Sequence, residues 1–176
     1  MNKEMVILVD EYDNPLGLME KIRAHEKGLL HRAFSVFLIN DSNQLLIQRR
    51  ALNKYHSPGL WTNTCCSHPK DRESIMVAAN RRLYEEMGIK AKLKPLLSFI
   101  YKAKFDNGLT EHEFDHVVFG KFDGEPNINH DEVSDWKWQD IDFLKSDLIN
   151  NPINYTAWFK IIFEEFYNKI KNESNS

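Results

Sequence analysis

From Arg72 to Met87 the apolar residues Ile75, Ala78, Ala79, Leu83 and Met87 recur at three- and four-residue intervals, and Gly88 follows directly. This spacing sets one buried stripe on a helix, and the glycine supplies a left-handed C-cap. The chain must therefore build a layer that covers this stripe. The last turn of the same helix carries Glu85 and Glu86, at the end where the helix dipole disfavours carboxylates by about 0.3–1 kcal/mol each. Arg81 and Arg82 stand four residues earlier and pair with these acids, but with the basic residue first such pairs are worth only about 0.2–0.5 kcal/mol. Clustered Arg and Glu have a second use: they hold a phosphate through charge-assisted hydrogen bonds and a divalent cation through oxygen. A diphosphate with magnesium uses both signs.

Around this helix the pattern alternates between strands and helices. Met5–Val9 reads as a strand that runs into a turn at Asp13-Asn14-Pro15. Ala33–Ile39 and Leu45–Gln48 flank the turn residues Asn40–Asn43 and predict a hairpin. Leu96–Phe105 and Glu113–Phe122 flank Asp106-Asn107-Gly108, which reads as a hairpin or a loop, and Val133–Gln139 is a further strand candidate with Trp136 and Trp138 on one face. Two helices close the chain, Ile141–Ile149 and Thr156–Ile170, the second with Trp158, Ile161, Ile162, Phe166 and Ile170 as its apolar stripe. The polar tail Asn172–Ser176 is expected to fray. The fold class is α+β, a mixed β-sheet between helices. At 176 residues with only seven glycines and six prolines, the chain 1–176 is expected to form one domain with its core over about 6–170.

A net charge of −3 gives no basic field of the kind that non-specific nucleic-acid binding needs. The two cysteines, Cys65 and Cys66, are adjacent, which is no disulfide scaffold and points to reduced thiols in the cytoplasm. The N-terminus lacks the pattern of a secretory signal, and no apolar run approaches membrane-spanning length. A small-molecule ligand is the expected partner, with no nucleic acid and no membrane, on a monomer or homodimer.

Candidate chemistry gathers in three places. Cys66 and His68, two residues apart, share one side of an extended segment. His25 and His31 precede the strand Ala33–Ile39, and Glu111 and Glu113 alternate onto one strand face. Three imidazoles and two carboxylates make a mixed nitrogen and oxygen metal site that zinc, manganese or magnesium would fit. Cys65 is read as a small buried hydrophobe, and His56, His112, His116 and His130 as ordinary hydrogen-bonded or solvated histidines. Strand alternation turns His112 and His116 away from Glu111 and Glu113.

The run Ser67, Glu73, Arg81, Arg82, Leu83, Glu85, Glu86, Gly88, Ile89 resembles the Nudix signature with two departures. Ser67 stands at its usual glycine, and Arg82 at a metal-binding glutamate. The second exchange removes a ligand of the hydrolytic metal cluster and adds a phosphate donor. The segments Gly28-Leu29-Leu30-His31-Arg32-Ala33-Phe34-Ser35, Gln48-Arg49-Arg50-Ala51, Trp61-Thr62-Asn63 and Cys66-Ser67-His68-Pro69 are similar to those of the type 1 isopentenyl-diphosphate delta-isomerases, a Nudix-fold family. This likeness runs from about Val6 to Ile170.

The resemblance implies an α/β/α sandwich and the isomerisation of isopentenyl to dimethylallyl diphosphate in isoprenoid biosynthesis. It implies a divalent metal (Mn2+, Zn2+ or Mg2+) on His25, His31, His68, Glu111 and Glu113, with Cys66 and Glu113 as opposed proton-transfer residues and Tyr101 hydrogen-bonded beside them. Trp158 would face the developing cation; Arg50, Lys54 and Arg82, with the Ser67 hydroxyl, would bind the diphosphate. Glu86 and the Cys66 carbonyl would hold the Mg2+ that arrives with it. The competing readings are a Nudix hydrolase of nucleoside diphosphate derivatives, opposed by Arg82, Cys66 and the three histidines, and a non-catalytic binding module.

Overall fold

The computed structural model describes residues 4–174. In chain order these form β1 (Met5–Val9), β2 (Pro15–Glu20), α1 (Lys21–Lys27), β3 (His31–Ile39), β4 (Gln44–Arg50), β5 (Trp61–Thr62), β6 (Cys65–Ser67), α2 (Ile75–Met87), β7 (Leu93–Lys104), β8 (Thr110–Lys121), β9 (Val133–Asp140), α3 (Ile141–Asn150), a 3-10 turn (Pro152–Asn154) and α4 (Ala157–Ser174). The strands make one mixed sheet. β3 runs parallel to β8 and antiparallel to β1 and β6, while β4 pairs antiparallel with β5 and β9.

Helices cover both faces, as the mixed composition of the pattern anticipates. Phe37 and Ile39 of β3 pack with Val117 and Phe119 of β8 against Leu144 of α3 and Trp158, Phe159, Ile162 and Phe163 of α4. The alternate residues Phe34, Val36 and Leu38 pack against Ala78, Ala79, Leu83 and Met87 of α2. A strand buried on both faces reads as a continuous apolar run, which is the pattern of 33–39. α2 starts at Ile75, later than the periodicity suggests, because the Ser74 hydroxyl accepts the Val77 amide and caps it. Gly88 ends it at φ 67°, and a Cβ there would lie 2.6 Å from the Asn127 carbonyl, so conformation and close approach both require glycine.

The hairpin expected of 33–48 is confined to its corner. β3 and β4 share only the pair Ile39↔Leu45 and then diverge, because β3 pairs along its length with β8 and β4 with β9. The gap between them is bridged by buried polar side chains of the 61–67 segment. The Thr64 hydroxyl accepts the Leu38 amide at 2.9 Å and donates to the Leu46 carbonyl at 2.6 Å. Asn63 Nδ2 donates to the Val36 carbonyl at 3.1 Å and the Cys65 carbonyl at 2.8 Å. These bonds satisfy backbone groups along the seam between the two strands, and the segment seats Cys66 opposite Ser35.

Two elements had no clear signal in the sequence. β2 is an edge strand whose Leu16 and Leu18 are exposed, so it lacks a buried alternation. α1 buries only Ala24 and His25 and is closed by Gly28 at φ 60°. α4 is helical as far as Ser174, and Lys171 ties this end of it to Asp142 at 2.7 and 2.9 Å. Residues 175 and 176 lie outside the described residues.

Candidate active site

The parallel register of β3 and β8 sets His31 beside Glu113, and the antiparallel register of β7 and β8 sets Tyr101 on the other side of Glu113. α1 contributes His25, and the chain leaving β6 contributes His68. These segments meet at a cavity of about 700 Å³ lined by Cys66, Tyr101, Glu111, Glu113 and Trp158 at one part and by Arg50, Lys54, Ser67, Arg82 and Glu86 at another. Every sequence-derived site residue except His25 and His31 lines it, and those two are buried behind His68 and Glu113.

Ligand atoms of His25, His31, His68 and Glu113 all lie within 4.8 Å of one another. His31 Nδ1 is 2.8 Å from the Leu29 carbonyl; a carbonyl only accepts, so this nitrogen carries the proton and Nε2 bears the lone pair of the neutral ring. That Nε2 faces His25 Nε2 at 3.2 Å and Glu113 Oε1 at 3.4 Å, and His68 Nε2 is 3.0 Å from the same oxygen. These ligand atoms converge on one point, as the donors of a divalent cation do. The donor set, mostly imidazole with one carboxylate, fits such an ion, and the Leu29 contact orients His31 from behind.

Glu111 is outside that group of four. Its Oε1 is 3.2 Å from His56 Nε2, and its Oε2 accepts from the Tyr101 hydroxyl at 3.0 Å. Tyr101 also reaches Glu113 Oε2 at 2.6 Å. The two carboxyls therefore differ in charge. Burial and then the Glu113 charge push Glu111 well up. For Glu113 burial acts in the same direction, but in the metal-free site the His31 and His68 imidazoles, which donate to it when protonated, outweigh it and hold the carboxyl well below the usual range. Burial raises the Cys66 thiol, with Arg50 opposing, and so keeps the proton on sulfur. His25 falls to about 3, through burial and then the neighbouring His68 and His31. A thiol pushed toward its protonated form and a carboxyl pushed toward its ionised form thus line one cavity, the pairing that acid–base chemistry on a bound molecule requires.

Trp158 is buried, and its indole Nε1 has no hydrogen-bond partner among the described residues. The position belongs both to the apolar stripe of α4 and to the cavity wall. The Arg50 guanidinium lies 5.2 Å from its ring centre and donates to the Ser57 and His56 carbonyls, both at 3.2 Å. Lys54 pairs with Glu132. Arg82 contacts Glu85 at 2.8 Å, Glu86 at 2.6 Å and Glu132 at 3.3 Å, yet its buried Nε has no partner. Burial alone would lower its guanidinium, but Glu86 and Glu132 more than offset this and keep it charged. Glu86 also accepts from Gln48 Nε2 at 2.9 Å, which in turn donates to the Thr64 carbonyl at 2.7 Å. The acids at the helix end are thus held by Arg82 and Gln48, while Arg81 clamps Glu73 at 2.7 and 2.8 Å.

His56 was read as an ordinary histidine; it is buried in the site wall and contacts Glu111. Gln48 and Glu132 also went unnoticed, because their partners come from distant segments. His112 and His116 do turn away, to the Gly28 carbonyl and to Asp13, and His130 is exposed.

Comparison with known proteins gives a consistent picture. The NUDIX domain family matches residues 29–159. The chain is 53% identical over 156 residues to Isopentenyl-diphosphate Delta-isomerase 2 of Aromatoleum aromaticum, covering 89% of this chain and 82% of that protein. It is 49% identical over 173 residues to Isopentenyl-diphosphate Delta-isomerase of Pectobacterium atrosepticum, covering 97% of each. Among solved structures, DR0079 from Deinococcus radiodurans superposes with a TM-score of 0.70 at 22% identity, over 84% of this chain and 90% of that one, a likeness of fold.

Proposed function

The chain belongs to the NUDIX family and, within it, to the isopentenyl-diphosphate Delta-isomerases, and from that membership we propose how its own residues divide the reaction. Isopentenyl and dimethylallyl diphosphate interconvert when one proton is added at one end of an allylic unit and another leaves from the other end. An unactivated alkene is a weak base, so protonation passes through a tertiary, carbocation-like state. Such a state needs a positioned acid, a base across the substrate and walls that exclude water.

Cys66 and Glu113 are the two proton-transfer residues. Cys66 arrives with its proton in place and Glu113 arrives ionised, and Tyr101 steadies Glu113 from the side away from the histidines. Trp158 offers the developing cation an indole face worth about 1–2 kcal/mol when desolvated. Its buried indole offers no nucleophile to trap the ion. Arg50, Lys54 and Arg82, with the Ser67 hydroxyl, grip the diphosphate.

His25, His31, His68 and Glu113 would hold a divalent metal, Mn2+, Zn2+ or Mg2+, with Glu111 alongside. Bound there, it supplies fixed positive charge that acidifies the groups it touches. Glu86, with the Cys66 carbonyl, is the place for the Mg2+ that accompanies diphosphate. A thiol used as an acid must stay reduced, which suits the cytoplasm.

The observation that carries this reading is the joining, in one cavity, of the Cys66 thiol and the Glu113 carboxyl with a guanidinium at position 82. A hydrolase would need a carboxylate there. The test is incubation with isopentenyl diphosphate and magnesium beside a panel of nucleoside diphosphate derivatives. Appearance of dimethylallyl diphosphate without phosphate release from the panel is expected. Phosphate release without isomerisation would overturn the reading in favour of a hydrolase.

A further inference from the structure

His56 lies in the loop between β4 and β5 and is 6% exposed. Three parts of the cavity meet on it. Its Nε2 is 3.2 Å from Glu111 Oε1. Its ring stands edge-on to Trp158, at 5.7 Å and 86°, and is clamped from elsewhere by stacking on Phe105 at 5.0 Å and 16°. Its backbone carbonyl accepts from Arg50 at 3.2 Å.

Two of these contacts act on groups of the cavity wall. Glu111 holds Tyr101 through Oε2, so the contact to His56 through Oε1 is what fixes the plane of the carboxyl, a torsion otherwise broad. The indole nitrogen of Trp158 has no partner among the described residues, so no polar bond orients that ring, and packing must do so.

We propose that His56 is a positioning residue of this site, fixing the Glu111 carboxyl through Nε2 and bracing the Trp158 indole with the face and edge of its ring. The two roles are separable by chemistry. Glutamine retains a donor for Glu111 without an aromatic ring; phenylalanine retains a ring beside Trp158 without a donor. The inference rests on the isomerase reading for its effect on turnover, and on Glu111 joining His25, His31, His68 and Glu113 around the ion for its effect on metal affinity.

The experiment compares wild type, His56→Gln and His56→Phe in two measurements: calorimetric titration of metal-stripped protein with Mn2+, and kcat and KM for isopentenyl diphosphate. In His56→Phe the Mn2+ Kd is expected to rise about tenfold or more, as when a residue behind a metal-site carboxylate is lost. In His56→Gln the Mn2+ Kd stays within about threefold of wild type, while kcat falls about tenfold with KM little changed, the size expected when the indole over a cation is misplaced. Equal Mn2+ affinities in the two variants would overturn the Glu111 role, and an unchanged kcat in His56→Gln would overturn the Trp158 role. If wild type itself fails to isomerise, the functional reading falls, and the Mn2+ titrations alone still decide whether His56 positions Glu111.

Discussion

Replacing Thr64 with valine tests how the sheet is held where β3 and β4 part. Thr64 is fully buried, and its hydroxyl joins the Leu38 amide to the Leu46 carbonyl at 2.9 and 2.6 Å. Valine has the same outline, so no cavity forms; the change leaves one N–H and one C=O buried without partners. Each such group costs about 1–3 kcal/mol, and the added methyl returns about 0.8 kcal/mol. The net expectation is a loss of roughly 1–5 kcal/mol, large against the total of about 5–15 kcal/mol that a domain usually has. Equilibrium urea unfolding reads this as a lower midpoint with an unchanged slope. Thr64→Ser keeps the hydroxyl and should lose much less. A Thr64→Val protein as stable as Thr64→Ser would refute the reasoning, because the seam would then not depend on the hydroxyl.

Three further outcomes follow from the site. Trp158→Phe replaces the stronger cation-binding ring with a weaker one and removes no hydrogen bond, since Nε1 has no partner among the described residues, so kcat should fall about 2–5-fold with KM nearly constant; a larger change in KM than in kcat would place Trp158 in ground-state binding instead. Arg82→Gln takes a charged donor from the diphosphate end and should raise KM by about 10–100-fold, and an unchanged KM in a folded variant would count against Arg82 as a phosphate ligand. In metal-free protein, burial holds both His25 and His56 at about 3, below the unfolded value near 6.5. Depressed folded values mean stability that is present above about pH 6.5 and is lost as pH falls toward about 3, because the unfolded chain binds the extra protons. His56→Gln should therefore lose less stability than wild type between about pH 7 and about pH 5; equal losses in urea unfolding would contradict the burial argument.

Much of this was legible in the sequence because it is local. The α2 stripe, its Gly88 cap and the strand pairs 93–104 and 110–121 follow from periodicity and turn chemistry within a few residues. The alternation of Glu111 and Glu113 on β8 is equally local, and so is the pairing of Arg82 with Glu86. What escaped depends on contacts between distant segments. The separation of β3 from β4 is decided by the partners β8 and β9, far along the chain. His56 is indistinguishable by spacing from His112 or His116; only its place in the loop beside Glu111 and Trp158 makes it part of the site. Gln48 reads as one more polar strand residue until α2 brings Glu86 to it at 2.9 Å. α1 was missed because a helix that buries only two residues leaves almost no stripe.

The central claim, that Cys66 and Glu113 move protons across an allylic unit, is tested most directly by proton NMR of isopentenyl diphosphate incubated in deuterium oxide with the protein and magnesium, beside Cys66→Ala. The account predicts dimethylallyl diphosphate carrying deuterium with wild type and none with the folded variant. Substrate left unchanged by wild type across several added metals, or the same deuterated product from Cys66→Ala, would contradict it.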